Sequence, residues 1–189
     1  MRRRASEAVR VLQRFSPRIK AFATRGLDAL ALLLVAFVAW KIFVAPRSFA
    51  PANTHPAPHA SYARLHGGTF RVADERGRLL ILDFYASWCE PCKIELPLVE
   101  RWAHRHPKTA VVPIDVGEPR AAVLQFARRY RLSNVALDPQ QTASAYFGVK
   151  GFPTVVVIDP QGSIRATWSG LNPAIALALD NAERTLASR

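Results

Sequence analysis

Three hydrophobic patterns follow one another along the chain. Residues 27–45, LDALALLLVAFVAWKIFVA, are apolar apart from Asp28 and Lys41 near the two ends. As a helix this segment would be about 28 Å long, close to the hydrocarbon thickness of a bilayer. Residues 46–66 hold four of the fourteen prolines, which predicts an extended linker. Over residues 67–189, apolar runs of strand length alternate with apolar positions at helical spacing, which predicts a folded domain.

The pattern within residues 67–189 predicts alternating strands and helices. Residues 79–85, LLILDFY, form an apolar run broken only by Asp83, as expected of a strand buried on both faces. The other strands are predicted over residues 69–72, 110–114, 135–137, 154–159 and 163–169, the last two as a hairpin. Helices are predicted over residues 92–106, 119–130, 142–147 and 172–187. This order predicts an α/β fold with a central mixed sheet that is flanked by helices on both faces.

Positive charge is concentrated before the apolar segment. Residues 1–45 carry nine Lys/Arg and two Asp/Glu, a net +7 out of +12 for the whole chain. Because basic flanks stay in the cytoplasm, we predict a basic cytoplasmic segment over residues 1–26 and a transmembrane signal-anchor helix over residues 27–45. The domain that follows would lie outside the cytoplasm, where disulfides form. This placement explains the basic excess better than nucleic-acid binding does.

A cleaved signal peptide is the alternative for the N-terminal segment. Its uninterrupted apolar part, residues 29–40, is short, which favours a signal peptide. However, the best small-residue cleavage site, Ser48 to Ala50, is followed by Pro51, and the basic region is longer than an ordinary signal peptide has. We therefore expect an uncleaved anchor.

Composition limits the kinds of site that the chain can hold. Half of the residues are apolar, which excludes a disordered chain. Two cysteines cannot form a disulfide scaffold, and they cannot by themselves form a four-ligand zinc site. His55, His59 and His66 lie in the predicted linker at irregular spacing without a fourth ligand, so we expect no metal there.

Both cysteines lie in one motif, Trp88–Cys89–Glu90–Pro91–Cys92, between a predicted strand and a predicted helix. Pro91 suits the first turn of a helix, which places Cys89 at the helix N-terminus, where free N–H groups and the helix dipole favour a thiolate. A free thiol is only about 3% ionised at pH 7, so this setting matters for reactivity. Cys92 lies on the same helical face and is expected to be less exposed. We predict that Cys89 is the nucleophile and Cys92 the resolving thiol of a redox disulfide.

Other interpretations of the two cysteines are possible. A purely structural disulfide would close a loop of two intervening residues and would restrict the unfolded chain very little. Half of a zinc site is disfavoured, because no other cysteine exists and no histidine is close in sequence. Two thiolates could still hold Cu(I), a soft ion.

The segment ILDFYASWCEPCK, followed by Glu95 and Pro97, resembles thioredoxin. More closely, it resembles the membrane-anchored TlpA/ResA-type thiol–disulfide oxidoreductases, which include the reductants of cytochrome c maturation. The resemblance covers residues 67–189 and implies the thioredoxin fold. The segment GVKGFPTVVVIDPQGSI resembles the part of the family that carries a cis-proline, which would be Pro153 here.

The resemblance also implies roles for two acidic residues. A buried Asp83 would have a raised pKa and could take the proton from Cys92, although this subfamily often lacks an acid at that position. Glu95, one helical turn after Cys92, is implied to tune the proton of the second thiol. The alternatives are an Asp83 that turns to water at the strand end and a Glu95 that is a solvated helix-face residue.

Three further residues are expected to bind substrate. Pro153, as a cis-proline without an N–H, leaves the preceding backbone free to pair with an extended substrate. Phe152 precedes it and is expected at the same surface. Trp88 is expected to shield the dithiol, with a plain core position as the alternative.

Together these features predict a thioredoxin-like enzyme that is tethered to the cytoplasmic (inner) membrane and acts in the periplasm or elsewhere outside the cytoplasm. It is expected to reduce disulfides in exported proteins and then to be reduced by a membrane electron-donor protein, without a cofactor. Apocytochrome c or a copper-site assembly protein would be a client by resemblance. A disulfide oxidase or isomerase, or a Cu(I)-binding chaperone that uses the same two cysteines, is the alternative.

Overall fold

The computed structural model describes residues 28–38, 40 and 55–186. The chain divides into two units, residues 1–44 and 45–189. In the first unit, residues 28–38 form helix α1, and all of its side chains are exposed. Within the described ranges, the helices are too short or too polar to cross a bilayer. The predicted cytoplasmic segment, residues 27, 39 and 41–45 of the predicted anchor and residues 46–54 of the predicted linker lie outside the described residues.

The described part of the second unit is built around one eight-stranded sheet, with strand order β1-β8-β7-β4-β5-β6-β2-β3. The strands are β1 His55–Pro56, β2 Ser61–Arg64, β3 Thr69–Arg71, β4 Leu80–Tyr85, β5 Ala110–Val116, β6 Ala136–Asp138, β7 Thr154–Ile158 and β8 Ser163–Ser169. Strands β4, β5 and β6 are parallel, whereas β7 and β8 form the predicted antiparallel hairpin. The mixed sheet predicted from the alternating pattern is therefore confirmed.

Helices cover both faces of this sheet. They are α2 Glu90–Arg105, α3 Arg120–Tyr130, α4 Ala143–Phe147 and α5 Ile175–Leu186. Helix α4 packs in one apolar cluster with Leu80, Leu82 and Phe84 of β4. Helices α2, α3 and α5 pack in two clusters on the opposite face, which contain Ile81 and Tyr85 of the same strand.

The two-residue periodicity of strand β4 determines which face of the sheet Asp83 points to. Successive side chains of a strand point to opposite faces, so Asp83 shares a face with Ile81 and Tyr85. All six residues of β4 are buried, because helices cover both faces and β5 and β7 pair with both edges. Asp83 is therefore held inside the layer that also contains the cysteines.

The folded domain begins earlier than the sequence pattern predicted. Gly67 was the expected start, but residues 55–66 contain β1 and β2 and belong to the sheet. Strand β2 pairs with β3 and β6, and its Tyr62 is buried, as is the following Leu65. The sequence did not predict β1 and β2, because the segment is rich in proline and only the few residues after the prolines alternate between buried and exposed positions.

Candidate active site

The two cysteines form a disulfide at the junction of β4 and α2. Cys89 is the N-cap residue of α2, Pro91 lies in the first turn, and the Cys92 N–H donates a hydrogen bond to Cys89 Sγ at 3.2 Å. The prediction that Cys89 lies at the N-terminus of the helix is thus confirmed, and an N–H of the first turn points at its sulfur. Cys89 is 4% exposed and Cys92 0%, so Cys89 is the sulfur that a partner can reach more easily.

An aromatic pair lies beside the disulfide. Trp88 is exposed, and its ring meets the ring of Phe152 edge-on at 5.9 Å between centroids. Phe152 also packs against the apolar cluster that contains both cysteines. The peptide bond between Phe152 and Pro153 is cis, as the family resemblance implied. Trp88 is thus a surface residue and not the core position that was its alternative.

A cavity of about 450 Å³ opens next to this pair. Trp88 and Phe152 line it together with Val149, Lys150 and Gly151, which precede the cis-proline. Its wall is mostly apolar, apart from Lys150 and Gln141. The cavity can therefore accept an apolar side chain of a chain bound near Cys89.

Asp83 is 0% exposed, and in the described part of the chain no hydrogen-bond donor contacts its carboxyl oxygens. Burial raises the pKa of Asp83 well above its ordinary value, and the nearby Glu95 and Glu100 carboxyls raise it further. The alternative of a strand-end aspartate turned to water is wrong. Asp83 is therefore a weaker acid than an exposed aspartate.

Glu95 is also buried, at 1% exposure, so the alternative of a solvated helix-face residue is wrong. Its Oε2 accepts a hydrogen bond of 2.6 Å from the backbone N–H of Asn172, in the segment before α5. Burial raises the pKa of Glu95 to about 7, although the hydrogen bond from Asn172 acts to lower it. A group with this pKa can both accept and return a proton at neutral pH.

A second acidic group, which the sequence analysis did not single out, lies on the other side of the loop before Cys89. Glu118 accepts hydrogen bonds from Ser87, from its backbone N–H at 2.5 Å and from its hydroxyl at 2.6 Å. Asp115, at the end of β5, lies beside Glu118 and is 1% exposed. Burial raises the pKa of Asp115 to about 8, and the Glu118 carboxyl contributes to this shift.

One sequence signal could have identified Asp115. It interrupts the apolar strand AVVPIDV in the same way that Asp83 interrupts LILDFY. Glu118 carries no comparable signal, because it lies in a loop and its contact with Ser87 joins residues 31 positions apart.

Within residues 28–38, 40 and 55–186, no three His, Cys, Asp or Glu side chains come together in a way that could hold a metal ion.

Comparison with known proteins agrees with this geometry. The model of the AhpC/TSA family matches residues 54–167, which is more than half of the chain. The thiol-disulfide oxidoreductase ResA of Geobacillus thermodenitrificans is 31% identical over 144 residues, which cover 74% of this chain and 83% of ResA. ResA of Geobacillus kaustophilus is 29% identical over 147 residues, which cover 75% of this chain and 84% of that protein.

Solved structures show the same architecture. A crystal structure assigned to a thiol:disulfide interchange protein DsbE of Chlorobium tepidum superposes with a TM-score of 0.65 at 27% identity. The match covers 70% of this chain and 95% of that chain. The family match begins at residue 54, in agreement with the sheet that begins at His55.

Proposed function

The chain belongs to the AhpC/TSA family and is a thioredoxin-like protein-disulfide oxidoreductase, and from this premise we propose that it reduces disulfide bonds in exported proteins. The observation that carries the proposal is a disulfide whose more exposed sulfur caps a helix, next to an aromatic surface and two buried acids. Exchange reactions of this kind need an ionisable attacking thiol, a protected resolving thiol and a place for one proton.

The reaction begins with both cysteines reduced. The Cys89 thiolate attacks one sulfur of a client disulfide, which forms a mixed disulfide and releases the other client sulfur as a thiolate. The Cys92 thiolate then attacks Cys89 Sγ, which releases the client's second sulfur and leaves the Cys89–Cys92 disulfide. Two electrons and two protons pass to the client in one cycle, and a dithiol donor protein restores the reduced state.

Asp83 and Glu95 are proposed to handle the proton of Cys92. Cys92 is fully buried and must lose its proton before it can attack, so an acidic group within the buried layer is suited to accept that proton. Glu95 lies one helical turn beyond Cys92, and the Asp83 carboxyl lies in the same buried layer. Because the pKa of Glu95 is about 7, it can accept this proton at neutral pH, while the raised pKa of Asp83 lets that acid store or return one.

Trp88, Phe152 and Pro153 are proposed to bind the client. An extended client segment would pair with the backbone before Pro153 and place an apolar side chain in the cavity beside Trp88 and Phe152. This arrangement would hold the client's disulfide over Cys89.

The segment 27–45 is proposed to anchor the enzyme in the cytoplasmic membrane, with the domain outside the cytoplasm. Two features support this. The large apolar side chains of α1, such as Leu33, Leu34 and Phe37, are exposed, and an aqueous surface would leave them unfavourably hydrated. Basic residues precede the helix, as positive-inside topology requires. Apocytochrome c or copper-site assembly proteins are the clients, and a membrane dithiol protein is the electron donor.

The test has two measurements on the full chain. In an insulin precipitation assay driven by dithiothreitol, the wild type should accelerate precipitation, and Cys89→Ser should abolish the effect. Glu90→Gln, which changes an exposed residue of the same motif, is the matched control and should retain activity. The midpoint potential then decides direction: a reductase should lie near about −270 mV, as thioredoxin does, whereas a value near −120 mV would instead indicate an oxidase.

A further inference from the structure

Two hydroxyl groups lie behind residues 150–153, which we call the client loop because it borders the cavity beside Trp88. Thr154 is fully buried, and its hydroxyl donates a hydrogen bond of 2.7 Å to the carbonyl of Gly151. The same hydroxyl oxygen lies 3.1 Å from the hydroxyl of Ser169, which pairs with Thr154 from β8. Because a hydroxyl has one hydrogen and a carbonyl can only accept, Ser169 supplies the hydrogen of this second bond. Two hydrogen bonds in series therefore connect β8 to the Gly151 carbonyl.

The bond from Thr154 determines which way the next N–H points. The peptide bond between Gly151 and Phe152 is trans, so its C=O and N–H groups point in opposite directions. The Gly151 carbonyl points inward to the buried Thr154 hydroxyl, and the Phe152 N–H therefore points outward. In the described part of the chain, no backbone carbonyl accepts a hydrogen bond from this N–H. The Phe152 N–H is thus available to a carbonyl of a bound client.

Little else fixes the first half of the client loop. Gly151 is exposed, and a Cβ placed there would meet no described atom within 4 Å, so side-chain packing does not restrain it. Glycine also has more backbone freedom than any other residue. The second half of the loop is restrained independently, because Pro153 is buried and its carbonyl accepts a hydrogen bond of 2.8 Å from the Gly170 N–H. The Thr154 hydroxyl is therefore the group that sets the orientation of the Gly151–Phe152 peptide.

We propose that Thr154 and Ser169 are positioning residues for client binding: their hydroxyls hold the Gly151 carbonyl inward and so present the Phe152 N–H to the client's backbone. Without the Thr154 hydroxyl, the Gly151 carbonyl loses its buried donor, and the peptide can rotate toward water. The client then loses one backbone hydrogen bond, while the disulfide itself is unchanged. The inference rests on the proposed function in one respect, that a client chain pairs with the backbone before Pro153.

The first test measures client pairing without turnover. A peptide activated with thionitrobenzoate is joined to Cys89 of the full-length Cys92→Ser protein, and hydrogen exchange of the Phe152 amide is followed by ¹⁵N NMR. The attached peptide should slow this exchange at least tenfold. Adding Thr154→Val, which keeps the methyl group but lacks the hydroxyl, should reduce the protection about threefold to tenfold, as expected for one hydrogen bond. Adding Thr154→Ser, which keeps the hydroxyl, should preserve it.

The second test separates binding from chemistry. For reduction of a peptide that contains one disulfide, Thr154→Val should raise KM about threefold to tenfold and leave kcat within twofold. The oxidised variant should react with dithiothreitol at the wild-type rate, because this small thiol does not need the client loop, whereas a general loss of structure would change both reactions. Ser169→Ala should raise KM about twofold, and because Ser169 is exposed, this variant keeps the test decisive if Thr154→Val does not fold.

Thr109→Val is the matched control. Thr109 is also buried, and its hydroxyl donates a hydrogen bond of 2.9 Å to Glu183. It precedes β5 at the edge of the sheet where β4 begins, whereas Thr154 pairs with Phe84 near the end of β4. Thr109→Val should therefore change neither KM nor the exchange of the Phe152 amide.

Equal KM values for Thr154→Val and the wild type, or equal protection of the Phe152 amide in both, would overturn the proposal. So would a Thr154→Ser protein as impaired as Thr154→Val, since the methyl group and not the hydroxyl would then be responsible. A wild type that does not turn over the peptide would contradict the proposed function instead. The exchange measurement needs no turnover and would still test the client loop in that case.

Discussion

Asp83, Glu95 and Asp115 are weaker acids than usual, because burial removes much of the water that would solvate their charge. Asp83 pairs with Pro113 and Asp115 pairs with Tyr85, so the two acids lie two positions apart on adjacent parallel strands and share one helix-covered face. Glu95 joins them from α2. The result is a group of three acids with raised pKa values in the buried layer that also contains the two cysteines.

The sequence predicted part of this arrangement. The interruption of an apolar strand was sufficient to single out Asp83, and helical spacing placed Glu95 one turn after Cys92. The burial of Glu95 could not be predicted, because the segment around Asn172, which contacts it, lies 77 residues away in the sequence. The Ser87–Glu118 contact depends in the same way on how β5 pairs with β4, which the local pattern does not reveal.

Replacing Glu95 with Gln should change how stability depends on pH. The pKa of Glu95 is raised in the folded state, so its ionisation destabilises the fold, and wild-type stability should fall as pH rises from about 4.5 to about 7. Glu95→Gln lacks this loss. Urea unfolding of the oxidised proteins should therefore show a difference that is near zero at pH 4.5 and favours Glu95→Gln by up to about 3 kcal/mol at pH 8.

Glu90→Gln is the control for this measurement, because Glu90 lies on the same helix but is exposed and pairs with Lys93. Its stability difference from the wild type should not depend on pH in this way. A Glu95→Gln curve parallel to that of the wild type would show that Glu95 ionises as freely in the fold as in the unfolded chain.

Replacing Asp83 with Asn should slow the second half of the reaction. Without this carboxyl, the buried Cys92 loses a group that takes part in its proton transfer, so a mixed disulfide on Cys89 should persist about tenfold longer or more at pH 7. Stopped-flow measurement of peptide release checks this, with Asp159→Asn as the control. Equal release rates for Asp83→Asn and the wild type would remove Asp83 from the mechanism.

At the scale of elements, the apolar pattern predicted the core strands and helices within one to three residues, and most closely for β4 and α3. Their burial on one or both faces produces a strong periodic signal. Short edge elements were missed or shifted, as for β1 and β2, because strands of two to four residues are too short to show a period. Helix α2 begins at Glu90, two residues before its first predicted residue, because the Cys89 cap and Pro91 set its start.

The Asp138 carboxyl caps the start of helix α4. Its carboxyl oxygens accept hydrogen bonds from the Thr142 N–H and hydroxyl and from the Ala143 N–H. Asp138→Ala leaves these donors unpaired at the start of the helix and should lower the free energy of unfolding by about 2 kcal/mol. Thermal and urea unfolding check this.

Asp138→Asn is the comparison for that variant, since its amide oxygen still accepts one of the bonds, and it should lose less stability. Ala143 and Gln141 also line the cavity beside Phe152, so Asp138→Ala should weaken client binding as well. Equal stabilities for the Ala and Asn variants would mean that the cap contributes nothing.

At the scale of the whole molecule, the most basic segment and the redox site lie in different parts of the chain. More than half of the net positive charge lies in the first 45 residues, whereas the two cysteines and the buried Asp83 and Glu95 lie in the folded domain. The sequence predicted this distribution of charge and the position of the cysteines. It could not predict the client or the direction of electron flow, because both depend on a surface and a potential that arise only from the folded domain.

The proposed topology predicts which side of the membrane exposes the thiols. In intact spheroplasts treated with a mild reductant, a membrane-impermeant maleimide should label Cys89 as fully as it does after lysis. Cys89→Ser/Cys92→Ser, which has no thiol, is the blank. Labelling that appears only after lysis would place the domain in the cytoplasm and contradict the anchor proposal.

The central claim is that Cys89 is the sulfur that attacks a client. The most direct measurement mixes reduced Cys92→Ser with a peptide that contains a disulfide and locates the mixed disulfide by tandem mass spectrometry. The account predicts a stable adduct on Cys89 that forms faster as pH rises through the thiol's pKa, and a much slower adduct on Cys92 in Cys89→Ser. Equal rates for the two variants, or no adduct on Cys89, would contradict it.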